Sequence, residues 1–112
     1  MMLERKTRYN LLYDLYQELL TDRQKQFTEL YFQDDLSFAE IAEEFAISRQ
    51  GVYEHIKRTE RLLDEYEEKL QLLAKELRLN ELTCQLEDAV NQLNDQGLDQ
   101  IKNLINEIKA IE

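Results

Sequence analysis

The chain has 112 residues, a formal net charge of -10, 43% hydrophobic and 34% charged side chains, no proline and two glycines. That length holds one domain with room for an appendage, and the composition is that of a folded rather than a disordered chain. The acidic balance argues against a protein that coats nucleic acid indiscriminately, and so little proline and glycine leaves few turns, so long helices are expected.

The first helical pattern runs from about Glu4 to Leu20, with Tyr9, Leu12, Tyr13, Tyr16, Leu19 and Leu20 at helical spacing. Thr21 or Asp22 can cap a second helix, with Phe27, Leu30 and Tyr31 on its inner face. Gln33 to Leu36 reads as a break. Ser37, with Glu40 three residues on, makes a capping box for a short helix that faces inward through Ile41, Ala42 and Phe45. Ser48 can cap another start, and no breaker follows before Asn80. One long helix over about residues 49–79, roughly 46 Å in length, is therefore expected. Its apolar positions Val52, Ile56, Leu63, Tyr66, Leu70, Leu73 and Leu77 step by fours and threes, a heptad pattern broken only at Thr59. Two further helices are predicted, about 81–93 and 98–111, separated by Asn94-Asp95-Gln96-Gly97 with the glycine as a C-terminal signal.

Ser37 to Ile56 has the spacing of a helix-turn-helix. Ala42 lets the second helix cross closely, Ile47 plugs the turn, and Val52 and Ile56 anchor the second helix. Ala46 stands where such turns usually carry glycine. The expected fold is all-α: a helix-turn-helix bundle over residues 1–61, then an extended helix and short C-terminal helices over 62–112, the long helix being shared.

With Val52 at the centre of the buried face, Gln50, Tyr53, Lys57 and Arg61 point outward, Arg49 sits at the helix start and Arg58 to one side. Glutamine and arginine can pair with base edges, and lysine and arginine suit phosphates, so these six are the candidate nucleic-acid-binding residues. A plain solvated face is the competing reading, because Glu54 can pair with Lys57 or Arg58 and Asp64 extends the face with the wrong sign. Residues 1–61 carry 9 basic and 12 acidic side chains, against 5 and 12 in residues 62–112, so only the first part can present a basic face. The heptad residues Ile56, Leu63, Tyr66, Leu70, Leu73 and Leu77 call for a partner helix, from a second copy as a homodimer or from the chain's own C-terminal helices.

Catalysis finds no support. His55 reads as a packing residue and Cys84 as a small core residue, so no nucleophile has a base in reach. No metal-ligand cluster and no glycine-rich phosphate loop appear, so no cofactor is expected and the chain reads as a non-enzyme. No apolar run approaches the ~20 residues that span a membrane, and Asp14, Gln17 and Glu18 interrupt what would be a signal peptide. With a lone cysteine and no internal disulfide, the cytoplasm is the expected compartment.

Leu20-Thr21-Asp22-Arg23-Gln24, Leu30-Tyr31-Phe32 and Leu36-Ser37-Phe38-Ala39-Glu40-Ile41-Ala42 resemble region 4 of bacterial sigma factors, the part that reads promoter DNA. The segment from Ile47 through Ser48-Arg49-Gln50-Gly51-Val52-Tyr53-Glu54-His55-Ile56 to Glu60, with Leu63 to Leu70, resembles the YlxM family of bacterial proteins. That resemblance covers residues 9–73, and Gly51 stands where the family leads one to expect alanine. It implies a sigma-region-4-like domain with a long extended helix, and a regulatory link to the signal recognition particle. The expected function is a regulatory nucleic-acid-binding protein, its target DNA or the particle's RNA, with the particle's GTPase as a further partner. The alternative is a protein-protein adaptor that docks through the same elements.

Overall fold

The computed structural model describes residues 2–111, which form six α-helices and no strand. They are α1 Met2–Tyr16, α2 Asp22–Thr28, α3 Phe38–Phe45, α4 Arg49–Leu70, α5 Leu72–Asn91 and α6 Asp95–Ile111. They divide into two compact units, Met1–Gln71 and Leu72–Glu112.

In the first unit, α1 gives way at Gln17–Leu19 to a tighter 3-10 turn. The change of pitch turns Leu19 out, 52% exposed, while Leu12, Tyr13, Tyr16 and Leu20 stay buried. Thr21 then caps α2 in a full capping box with Gln24. Residues Glu29–Gln33 wind as a π-turn, which rotates the side chains that follow. The inner position falls on Phe32, which is buried, while Leu30 and Tyr31 are only half-buried, a register that helical spacing does not predict. Asp35 closes the loop at φ 58°, its carboxylate 2.8 Å from Lys6 Nζ.

The helix-turn-helix forms as its spacing predicts. The Ser37 hydroxyl accepts from the Glu40 N–H at 3.1 Å, and the Glu40 carboxylate accepts from the Ser37 N–H at 3.0 Å. Helix α3 ends at Ala46, whose backbone is left-handed (φ 55°, ψ 44°), and the Ile47 N–H returns to the Ala42 carbonyl at 3.1 Å. That geometry is why glycine is usual at this position. Ser48 starts α4 by accepting from the Gly51 N–H at 2.9 Å. Phe27, Phe32, Ile41, Ala42, Val52 and Ile56 form the core, with Tyr9, Phe38, Phe45 and Ile47 packed around it. Burying each large apolar side chain contributes about 1.5–3 kcal/mol.

Helix α1 is fastened along α4 by polar side chains as well. Arg5 bonds the Glu60 carboxylate, Arg8 lies 3.2 Å from Asp64, and the Tyr16 hydroxyl donates to Glu67 at 2.7 Å. Thr59, the apparent gap in the heptad stripe, is fully buried and fills its place.

The single helix expected over residues 49–79 does not form. Helix α4 stops at Leu70, and Gln71 takes the left-handed conformation (φ 55°, ψ 33°) with its N–H on the Glu67 carbonyl at 2.8 Å. The last ties from α1 and its 3-10 turn reach α4 at Tyr66 and Glu67. Past them Leu70 is exposed. The division between units accordingly falls at Gln71 rather than near Arg61.

In the second unit, α5 runs straight through Asn80 and pairs with α6 as a hairpin, tied by Arg78 to Glu107 at 3.3 Å. Gly97 is not the end of a helix. It lies in the first turn of α6, which Asn94 caps by accepting the Gly97 N–H at 2.8 Å. A Cβ there would stand 3.0 Å from the Gln92 carbonyl oxygen and 3.2 Å from that of Ala89, tight contacts that the glycine avoids. Cys84 is exposed, not in the core. Leu82 and Ala89 mark the inward face of α5, and Cys84, two residues past Leu82, is turned roughly 200° from it. Among the described residues no helix is long and apolar enough to cross a membrane.

Candidate nucleic-acid interface

Arg49, Gln50, Tyr53, Arg58 and Arg61 are all exposed on α4. The core contacts of Val52, Ile56, Thr59 and Leu63 fix which side of the helix remains for them. Tyr53 leans edge-on toward Phe38 of α3, the ring centroids 5.9 Å apart, which steadies an aromatic that is still 41% exposed. Lys57 is placed differently from the expectation. It is half-buried, its Nζ 3.3 Å from Glu60 and 5.5 Å above the Tyr53 ring. Glu54 pairs with neither Lys57 nor Arg58; its carboxylate takes the Gln50 amide at 3.4 Å.

The carboxylates nearest this surface are disposed in its favour. Glu60 is buried and holds both Arg5 and Lys57, and Asp64 accepts from Arg8 and from the Tyr9 hydroxyl. Asp64 is thus neutralised from α1 rather than left facing a ligand. Lys6 is likewise taken by Asp35. Among the described residues, Arg49, Arg58 and Arg61 make no ion pair, so the uncompensated charge of α4 between Arg49 and Arg61 gathers on the outward face. Glu54 is the one acidic group within it.

Two residues that sequence pattern does not join to the face lie at its edge. His55 is stacked on Phe27 of α2, centroids 4.8 Å apart and 16° between planes. Burial, with Arg58 and Arg23 close by, pushes its pKa below the ordinary imidazole value, opposed by Glu54. Arg23 reaches in from α2 and covers the Phe27 and Phe45 rings at 5.3 and 5.1 Å. The only signal for Arg23 is its place in the Leu20–Gln24 motif; its proximity to α4 depends on the fold.

The candidate packing residues fare unevenly. Ile56 and Leu63 are buried inside the chain's own first unit, so neither is available to a second copy. Tyr66 is half-buried beside Tyr16, with its hydroxyl on the Leu19 carbonyl at 3.4 Å. Leu73 is buried, whereas Leu70 and Leu77 are exposed, and the turn at Gln71 divides the stripe.

Residues 3–106 match the UPF0122 family, described as "Putative helix-turn-helix protein, YlxM / p13 like". The chain belongs to this family. It is 54% identical over 91 residues to a UPF0122 protein of Halalkalibacterium halodurans, covering 81% of this chain and 84% of that one. It is 45% identical over 111 residues to a UPF0122 protein of Bacillus cereus strain AH187, covering 99% of this chain and all of that one. A UPF0122 protein of Bacillus anthracis strain A0248 matches with the same identity and coverage. Family membership and the α3–α4 geometry agree on a helix-turn-helix protein with an all-α fold.

Proposed function

We propose that this chain is a non-catalytic, cytoplasmic regulatory protein that binds nucleic acid through Arg49, Gln50, Tyr53, Lys57, Arg58 and Arg61. The observation that carries this reading is the burial of Glu60 and the pairing of Asp64 with Arg8 and the Tyr9 hydroxyl. Ion pairs with α1 bury Glu60 and engage Asp64, while among the described residues Arg49, Arg58 and Arg61 make no ion pair. Guanidinium groups so placed suit phosphate oxygens and guanine edges. The connection with the signal recognition particle rests on the resemblance of residues 47–70 to the YlxM family, and it makes the particle's RNA and its GTPase the partners to try beside duplex DNA.

The test is binding to the particle's RNA and to random duplex DNA at two salt concentrations. Binding by the intact chain should weaken with salt, and the double reversal Arg49→Glu with Arg61→Glu should abolish it. Full binding by the doubly reversed protein would sink the assigned face. Lys57 is a poor choice for such a test because its reversal would also strike buried Glu60.

A second reading, a protein-docking adaptor that works as a homodimer, draws on Glu54 in the middle of the face and on exposed Leu77, Val90, Leu93, Leu98 and Ile105 in α5, α6 and their connection. Under that reading the doubly reversed protein keeps its protein partner, and sedimentation gives twice the chain mass. A monomer at micromolar concentration would remove the dimer.

A further inference from the structure

Arg23 and His55 meet at one ring, that of Phe27, and Arg58 lies one turn of α4 beyond His55. The Arg23 guanidinium lies over two aromatic rings, Phe27 and Phe45, and His55 stacks on Phe27. Arg58 follows His55 by three residues on α4, so the two are neighbours on the helix surface. Neither arginine has a carboxylate partner among the described residues. The charged groups acting on His55 are Arg58 and Glu54 from its own helix and Arg23 from α2; α3 brings Phe45, which is uncharged. Like charges on Arg23 and Arg58 both act on His55, and an anion held beside them would reverse the sign of that interaction.

We propose that Arg23, His55 and Arg58 form an anion site that takes a phosphodiester of the nucleic-acid backbone, on the α2 flank of the recognition helix. It rests on the nucleic-acid reading above and extends that footprint from α4 to α2. A guanidinium held over aromatic rings keeps its N–H edge available to grip two phosphate oxygens. The imidazole can donate a third hydrogen bond. A bound phosphate favours the protonated imidazole, so the bound protein holds more protons than the free one. Binding therefore strengthens as pH falls toward the histidine's own range.

The chain has one histidine, so its ring protons report this site without ambiguity. With inorganic phosphate as the probe, at constant ionic strength, the His55 titration midpoint measured by NMR should rise relative to chloride. Arg23→Gln and Arg58→Gln should each cancel that rise. An equal midpoint in phosphate and chloride would overturn the site. On random duplex DNA each glutamine variant should lower the slope of log affinity against log salt by about 0.9, which is roughly eightfold weaker binding near about 0.1 M salt. Arg23→Lys, which keeps the charge, should retain the slope and so separates charge from the loss of aromatic cover. Should phosphate move His55 in a protein that binds no duplex and no RNA, the anion site stands and the nucleic-acid reading falls. Should the intact chain bind duplex while both glutamine variants keep its slope, the site falls and that reading stands.

Discussion

The Tyr9 hydroxyl donates to Asp64 Oδ2 at 2.7 Å, across 55 residues of chain. Burial first, and then the Asp64 hydrogen bond and charge, push the Tyr9 pKa up to about 12. Tyr13 is pushed the same way by burial and by its bond to Glu29. The folded state therefore keeps phenolic protons that an unfolded chain releases near about pH 10. The stability these tyrosines contribute is fully present below that pH and is lost as pH rises from there through their folded pKa values. Asp64→Asn should lower the alkaline midpoint of Tyr9 toward the free value, read by tyrosinate absorbance. An unmoved midpoint would show that burial alone sets it.

Glu60 is the most buried carboxylate among the described residues, and it serves two cations, Arg5 and Lys57. Glu60→Ala should cost about 2 kcal/mol. That is less than the 3–5 expected for breaking a fully buried pair, because both cations retain access to water. Urea unfolding monitored by helicity measures it. Arg5→Ala added to Glu60→Ala should cost little more, and full additivity would show that the two side chains act independently.

Ala46→Gly should stabilise the fold by about 1 kcal/mol. A Cβ in the left-handed conformation costs roughly 1–2 kcal/mol, part of which is offset by the greater freedom of glycine in the unfolded chain. Ala46→Val should move stability the other way. A drop in melting temperature for the glycine variant would mean that the turn relaxes without help.

Gly97→Ala should destabilise the second unit even though alanine is the better helix former by about 1 kcal/mol. The new methyl would press on backbone oxygens of Gln92 and Ala89, which cannot swing away as a side chain could. Hydrogen exchange should quicken in α5 and α6 while α1–α4 keep their protection. Equal protection throughout would show that the hairpin accommodates the methyl.

Cys84 should react with a thiol reagent in the native protein without denaturant, since its side chain is on the solvent side of α5. A reaction that waits for denaturant would contradict that placement.

What the sequence made legible was what short-range chemistry decides. Thr21 with Gln24, Ser37 with Glu40, and Ser48 each cap a helix because a side-chain oxygen and a backbone N–H three residues on are fixed by local geometry alone. The turn at Gln71 was not legible, since glutamine carries no preference for a left-handed backbone; the helix stops where α1 ceases to cover it. The π-turn that brings Phe32 inward is equally silent. On the candidate face, the exposure of Arg49, Gln50, Arg58 and Arg61 followed from helical spacing around Val52. The fates of Lys57, Glu60 and Asp64 did not, because they depend on Arg5, Arg8 and Tyr9 at the far end of the unit.

Those same long-range ties bear on the order in which the chain can take shape. As the chain is synthesised, α1 emerges before α4, and the partners of Arg5, Arg8, Tyr9 and Tyr16 lie 51 to 56 residues later. The ties of α1 to Glu29 and Asp35 can form first, and those to α4 only once α4 has left the ribosome and can pack back on it. Until then the α4-facing side of α1, with Tyr9 and Tyr16, is open to any chaperone that meets the nascent chain.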